Sequence, residues 1–282
     1  MKWTLVVSLL VFISCNRNTS NNAETDSSAS SNDSLRFEVY RYFQRLLDSE
    51  KLDGVILIKH AQSKQEWSND IYDAYKGFLP ASTFKIPNTI IGLETGIIAS
   101  ENHVFKWSGN KHINEKWNQD LSLHDAFHYS CVPCYRELAR KVGFEKMTQM
   151  LDKLKYGTMK VSPENLDLFW LEGASKISCK EQIDFLERLY FDQLGLKKTT
   201  TETMKRIMVI EKTADYTYSG KTGMAETEMS ISGWFVGFVE TPKDTYFFAT
   251  HIEPKKGCNM EEFAAMRRKV TDAALRKLGV LK

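Results

Sequence analysis

The chain lacks any stretch of the roughly 20 apolar residues that a helix needs to cross a bilayer; the run that comes nearest lies within the first 15 residues. It lacks an internal repeat, which sets aside solenoids and propellers. It also lacks clustered lysine and arginine. Its 38 basic and 36 acidic residues give a net charge of +2 spread along the chain, so there is no electrostatic footprint for a nucleic acid. Cysteine is scarce, with five in 282 residues. What remains is ordinary globular material. Hydrophobic residues make up 42% of the chain and charged ones 26%, enough for a sizeable core in one large domain or two small ones.

The first residues carry an address. "MKWTLVVSLLVFISC" sets Lys2 before an apolar run from Trp3 to Ile13 and ends on Ser14-Cys15. That is the build of an export signal, and a small residue before a cysteine is similar to a bacterial lipobox. Residues 1–14 are expected to be a lipoprotein signal peptide, with Cys15 lipidated as the new N-terminus. A plain signal peptide cleaved elsewhere is the competing reading. Residues 15–34 are rich in Ser and Asn, cannot bury a core, and are expected to form a disordered tether. The folded domain is expected over residues 35–282. The protein is thus expected in the periplasm, touching the membrane only through its lipid anchor. An exported chain could pair Cys131, Cys134, Cys179 and Cys258, in combinations the sequence leaves open.

Periodicity outlines the domain. "SLRFEVYRYFQRLLDSE" spaces its apolar residues as a helix does. "GVILIKH" and "KQEWSND" read as two strands with a turn between them. From Leu93 to about Met208 the pattern is mainly helix and loop. "YTYSGKTG", "SGWFVGFVE" and "TYFFATHIE" are strand-like, and a last helix runs to Gly279, a C-cap signal. Strands at both ends of the domain, with helices between and flanking them, predict an α+β fold. An antiparallel sheet would be flanked by the terminal helices, with a helical lobe inserted in the chain. A site between the lobes is the expectation.

"PASTFKIPNTIIGLETG", Pro80 to Gly96, holds the chemistry. Ser-x-x-Lys on a helix puts Ser82 and Lys85 on one face, about 5–6 Å apart at Cβ. A serine hydroxyl is a weak nucleophile that needs a base. Lysine can serve only if burial drives it to the neutral form. A helix N-terminus adds free N–H groups for a developing oxyanion. Pro87 is expected to cost a hydrogen bond in the second turn. The bland alternative is a solvated lysine on a surface turn.

Further motifs follow in order: Ser130-Cys131-Val132, Tyr156-Gly157, "FWLEG" with Trp170-Leu171, and Lys221-Thr222-Gly223 on a strand. Together with "STFKIPN" they resemble the class D, oxacillinase-type, serine β-lactamases, over nearly the whole chain after the tether. The resemblance implies the serine β-lactamase and penicillin-binding-protein fold, and an enzyme that hydrolyses β-lactam antibiotics and confers resistance to them. It implies that Ser82 attacks the β-lactam carbonyl. Lys85, carbamylated by CO2 or bicarbonate to N6-carboxylysine, would be the general base, with no other cofactor. It implies a carbamate donor in Trp170 and a proton for the leaving nitrogen from Ser130. Lys221 would lend positive charge, and the N–H groups of Ser82 and Met224 an oxyanion hole. Val132, Leu171, Thr222, Gly223, Met224 and Arg267 would contact the substrate. Arg267 is preferred to Arg268 as the carboxylate binder. Thr158 stands where the family usually has Asn.

Other readings compete. H-x3-H-x2-C-x2-C, from His124 to Cys134, has the look of a zinc site, and Cys131 with Cys134 that of a redox pair; buried structural cysteines and no metal are the preferred reading. Tyr156 reads as cleft wall, and Trp234 and Phe235 as core or cleft lining. At the level of function, the alternatives are a β-lactam sensor domain that acylates without turnover and a cell-wall transpeptidase.

Overall fold

The computed structural model describes residues 39–227 and 230–282. The expectations for residues 1–34, Cys15 among them, lie outside the described residues. Helix α1 covers residues 39–49 and leads into the hairpin β1 (Leu52–His60) and β2 (Glu66–Ser68). A 3₁₀ turn, Ala81–Phe84, runs straight into α2 (Lys85–Glu94). The middle of the chain holds β3 (Val104–Phe105), β4 (Leu121–Ser122), α3 (Leu123–His128), α4 (Val132–Val142), α5 (Phe144–Leu154), α6 (Cys179–Tyr190) and α7 (Lys198–Met208). The last part is β5 (Val209–Lys212), β6 (Thr217–Glu226), β7 (Ile231–Glu240), β8 (Thr245–Pro254) and α8 (Phe263–Lys277).

Six strands form one antiparallel sheet in the order β2-β1-β8-β7-β6-β5. The first long strand therefore pairs with the last, Leu52 opposite Pro254, and closes the domain. The period of two along each strand divides the apolar side chains between two cores. Trp234, Val236 and Phe238 of β7 join one core, with residues of α2, α4, α5 and α6. Phe235 and Val239 join the other, with Val39, Phe43 and Leu47 of α1 and Met266, Val270 and Ala274 of α8. The terminal helices cover one face and the inserted helical lobe covers the other, as expected for the α+β class. β5 and the short β3–β4 pair are additions to the expected elements. β5 is a four-residue edge strand of half-buried and exposed residues, so it carries almost no alternation.

Candidate active site

Ser82 sits in the 3₁₀ turn, not in the α-helix, which begins at Lys85. Residues i and i+3 eclipse in a 3₁₀ turn, and Lys85 Nζ donates to Ser82 Oγ at 2.9 Å. Pro87 is the third residue of α2. It lies in the first turn rather than the second, where proline is tolerated. Ala81, one residue before the serine, has φ +50°, a left-handed conformation that costs a non-glycine residue about 1–2 kcal/mol. Its N–H is held by the carbonyl of Trp170 at 2.8 Å. The Ser82 turn is thus strained and supported from outside, an arrangement common at functional sites.

Lys85 is 1% exposed. Burial lowers its pKa from 10.5 to about 7, because an apolar surround disfavours the charged form. Its ammonium lies 5.0 Å from the centre of the Tyr135 ring, and the Tyr135 hydroxyl pairs with Thr89 at 2.7 Å. Tyr135 went unnoticed in the sequence, where it reads as one more apolar position of α4.

A second serine–lysine pair faces the first. Ser130, in the α3–α4 loop, accepts a hydrogen bond from Lys221 Nζ at 2.5 Å. Burial holds Lys221 well below the ordinary lysine value, and the charges of Lys85 and Arg267 push the same way. Lys221, Thr222 and Gly223 lie on β6, which packs against the Ser82 turn. A Cβ added at Gly223 would come within 3.2 Å of Trp234 Cβ and 3.3 Å of Ser82 N, so glycine permits the close approach. Thr222 is half-buried and Met224 is 37% exposed. Arg267 donates from its guanidinium to the carbonyl of Gly223, and burial lowers its pKa to about 10. Arg268 instead pairs with Glu211 and Asp272. Arg267 thus reaches Gly223, while Arg268 lies over the ring of Tyr218, further back on the same strand, at 5.6 Å.

Trp170 stacks on Phe84 at 5.1 Å, beside the serine turn. Leu171 packs partly buried on the same core. Their loop is tied to α4 by Asp167, which pairs with Arg136 and Arg140. Tyr156 lies behind the wall rather than on it. It is 1% exposed, and its hydroxyl joins Thr83 and Gln182 in a closed ring of hydrogen bonds of 2.9–3.2 Å. Thr158 contributes its backbone, bonded both ways with Lys176 at 2.8 and 2.9 Å. Trp234 and Phe235 are fully buried core residues on opposite faces of β7. The Trp234 indole N–H donates to Leu79 O at 2.9 Å and so anchors the chain just before Ser82.

Cys131 and Cys134 form a disulfide with Cα atoms 5.4 Å apart, while Cys179 and Cys258 are free thiols. The bonded sulfurs are not available as thiolate metal ligands. Among the described residues no group of three His, Cys, Asp or Glu is placed to hold a metal.

A desolvated amine beside a hydroxyl, faced by a second hydroxyl–amine pair on a strand, can activate one serine and deliver a proton through the other. On an antiparallel sheet with an inserted helical lobe, this pairing defines the penicillin-recognising serine enzymes. The penicillin binding protein transpeptidase domain family matches residues 37–277. β-Lactamase OXA-10 of Pseudomonas aeruginosa is 40% identical over 209 residues, 73% of this chain and 78% of that protein. The crystal structure of a class D β-lactamase from Nostoc superposes with a TM-score of 0.81 at 38% identity, covering 85% of this chain and 99% of that one. The regulatory protein BlaR1 of Bacillus licheniformis is 30% identical over 219 residues, 36% of its own length. The chain belongs to the penicillin-binding transpeptidase-domain family and, within it, to the class D β-lactamases. It is a β-lactam hydrolase.

Proposed function

We propose that this protein opens β-lactams through an ester on Ser82, with Lys85 carbamylated as the general base, and so confers β-lactam resistance. The observation that carries the reading is the Lys85 amine, 1% exposed, 2.9 Å from Ser82 Oγ, with its pKa lowered to about 7. A neutral amine is what adds to CO2, losing one proton and gaining a carboxylate. An amine with that pKa is about half neutral at pH 7, so the site fits the modification. Ser82 and the indole N–H of Trp170 would hold the carboxylate, since a buried anion persists only when hydrogen-bonded. The group would supply the base for both halves of the reaction.

The chain's own residues do the rest. Ser82 Oγ bonds to the lactam carbonyl carbon as the ring C–N bond breaks. The N–H groups of Ser82 and Met224 receive the oxyanion, and Ser130 Oγ protonates the departing nitrogen. Lys221, paired with Ser130, replaces that proton. Arg267 and Thr222 bind the substrate carboxylate, Arg267 as a planar bidentate partner, and Val132, Leu171 and Gly223 line the contact. In the cell, lipidated Cys15 would hold the enzyme at the periplasmic face of a membrane.

The similarity to BlaR1 supports a second reading, a sensor that acylates once and stops. Intact-mass spectra with a slowly hydrolysed β-lactam separate the two. The proposal expects one adduct, absent from Ser82→Ala, that disappears while product accumulates beyond one equivalent. An adduct on the alanine variant contradicts Ser82 as nucleophile. An adduct that persists at one equivalent without further product supports the sensor.

A further inference from the structure

We propose that the Cys131–Cys134 disulfide is a positioning element for the reaction. It holds Ser130 in the conformation from which that serine protonates the leaving nitrogen. The inference rests on the role given to Ser130 above.

Ser130 joins the end of α3 to the start of α4, and it does so with φ +52°. A serine in that left-handed conformation is strained by about 1–2 kcal/mol and keeps it only where its neighbours leave no alternative. On its N-terminal side, Ser130 N–H donates to Phe127 O at 3.2 Å, Tyr129 N–H to Asp125 O at 2.8 Å and Cys131 N–H to Ala126 O at 2.9 Å, and the Trp117 indole N–H donates to Tyr129 O at 2.9 Å. On its C-terminal side the next residue is Cys131, the N-cap of α4. An N-cap normally fixes the first turn through a serine, threonine, aspartate or asparagine oxygen. Here Cys131 Sγ accepts the N–H of Cys134 at 3.3 Å, and sulfur is a weak acceptor. The covalent bond between the same two residues replaces the strength the cap lacks. It closes the first turn of α4 across a sequence separation of three. Pro133, in that same turn, fixes one more φ. The turn that follows Ser130 is therefore clipped covalently, where the turn that precedes it is held by hydrogen bonds alone.

The geometry that depends on this clip is tight. Ser130 Oγ must meet Lys221 Nζ at 2.5 Å, and Lys221 sits on a different element, β6. On the α4 side the disulfide borders an open surface cleft. A cavity of about 580 Å³ opens there, lined by Cys131, Val132, Pro133 and Cys134 among others. With the sulfurs apart, the first turn has room to relax into it, and Ser130 keeps only the hydrogen bonds from the α3 side. Misplacement by about 1 Å can cost up to about a hundredfold in rate. Loss of the clip is accordingly expected to slow the step that uses Ser130.

That step is acylation, because the ring nitrogen leaves then; ester hydrolysis needs no proton from Ser130. The test measures both steps by stopped flow on the full chain with a chromogenic cephalosporin. Three samples are compared with untreated wild type. One is Cys131→Ala/Cys134→Ala, which removes the bond and the weak sulfur cap together. The second is wild type reduced by dithiothreitol, in which two electrons and two protons pass to the sulfur–sulfur bond, giving two thiols and the cyclic disulfide of the reagent. Reduction is confirmed by two more titratable thiols than in the untreated sample. The third is Ser130→Ala. We expect acylation about tenfold or more slower in the first two, deacylation within twofold of wild type, and recovery of the reduced sample on reoxidation. If the alanine variant and the confirmed reduced protein acylate at the wild-type rate while Ser130→Ala is slow, the disulfide has no positioning role and Ser130 keeps its own. If Ser130→Ala acylates like wild type, the role of Ser130 fails instead. Equal slowing of both steps would mark general loosening and overturn the inference.

Discussion

Replacing Lys85 with methionine separates what the amine does for chemistry from what it costs the fold. Methionine matches the stem's length and fills irregular space. The wild-type amine is buried, with its pKa lowered from 10.5 to about 7. Each tenfold change in a protonation equilibrium is worth about 1.4 kcal/mol. At pH 7 the unfolded lysine is charged and the folded one half-neutral, so the burial costs about 4 kcal/mol. The sign runs one way: the folded state binds fewer protons than the unfolded one. Stability therefore rises with pH between about 7 and 10.5, and the full penalty applies below pH 7. Losing the bond to Ser82 returns about 1 kcal/mol of the gain. Lys85→Met should thus be inactive and about 3 kcal/mol more stable than wild type at pH 7, with the difference shrinking by about 2 kcal/mol at pH 9. Urea denaturation in bicarbonate-free buffer reads both values. Added bicarbonate should stabilise wild type alone, since a ligand of the folded state shifts the equilibrium. A variant less stable than wild type at pH 7, or a difference flat from pH 7 to 9, would refute the desolvated amine.

Three other outcomes follow from named contacts. Arg267→Ala should raise KM about 10–100-fold with a smaller loss in kcat, the size of a charged hydrogen bond, while Arg268→Ala should leave KM near wild type; the reverse pattern would reassign the carboxylate contact. His251 is fully buried, stacked on Phe78 at 3.6 Å, and its pKa is lowered to about 3 by burial and by Lys76. Its unfolded form takes up a proton below about pH 6.5, so wild type should lose about 2 kcal/mol between pH 7 and 5 that His251→Phe keeps. Parallel denaturation curves at the two pH values would contradict this. Cys15→Ala should move the protein from the membrane fraction to the soluble periplasmic fraction, and unchanged fractionation would support the plain signal peptide.

The parts of the molecule legible in the sequence are those with local periodicity or tight spacing. The near-continuous apolar run in "SGWFVGFVE" is strand-like, and β7 is a strand buried on both faces. The serine–lysine spacing and the Lys221–Gly223 triplet locate both halves of the site. What stayed hidden depends on contacts between distant residues. Gln182 reaches Thr83 across 99 positions, which leaves no periodic trace. Tyr135 looks like any apolar residue of α4 until Lys85 is set over its ring. Pairing of Cys131 with Cys134 needs their 5.4 Å Cα separation, which spacing alone does not impose. Ser82 was expected in the helix and lies one turn before it, because the left-handed Ala81 and its bond to Trp170 set the start of the 3₁₀ turn.

Whether Lys85 works as a carbamate is read by ¹³C NMR with ¹³C-bicarbonate, recorded beside single-turnover kinetics. One carbamate resonance is expected in wild type, absent from Lys85→Met and lost from Trp170→Ala, with deacylation slowed more than acylation in the latter. Both signal and rate should fall as the pH drops below about 7, where Lys85 is protonated, and bicarbonate should restore part of each. A wild-type spectrum without that resonance, with a rate indifferent to bicarbonate, would contradict the account and leave Lys85 acting as a free amine.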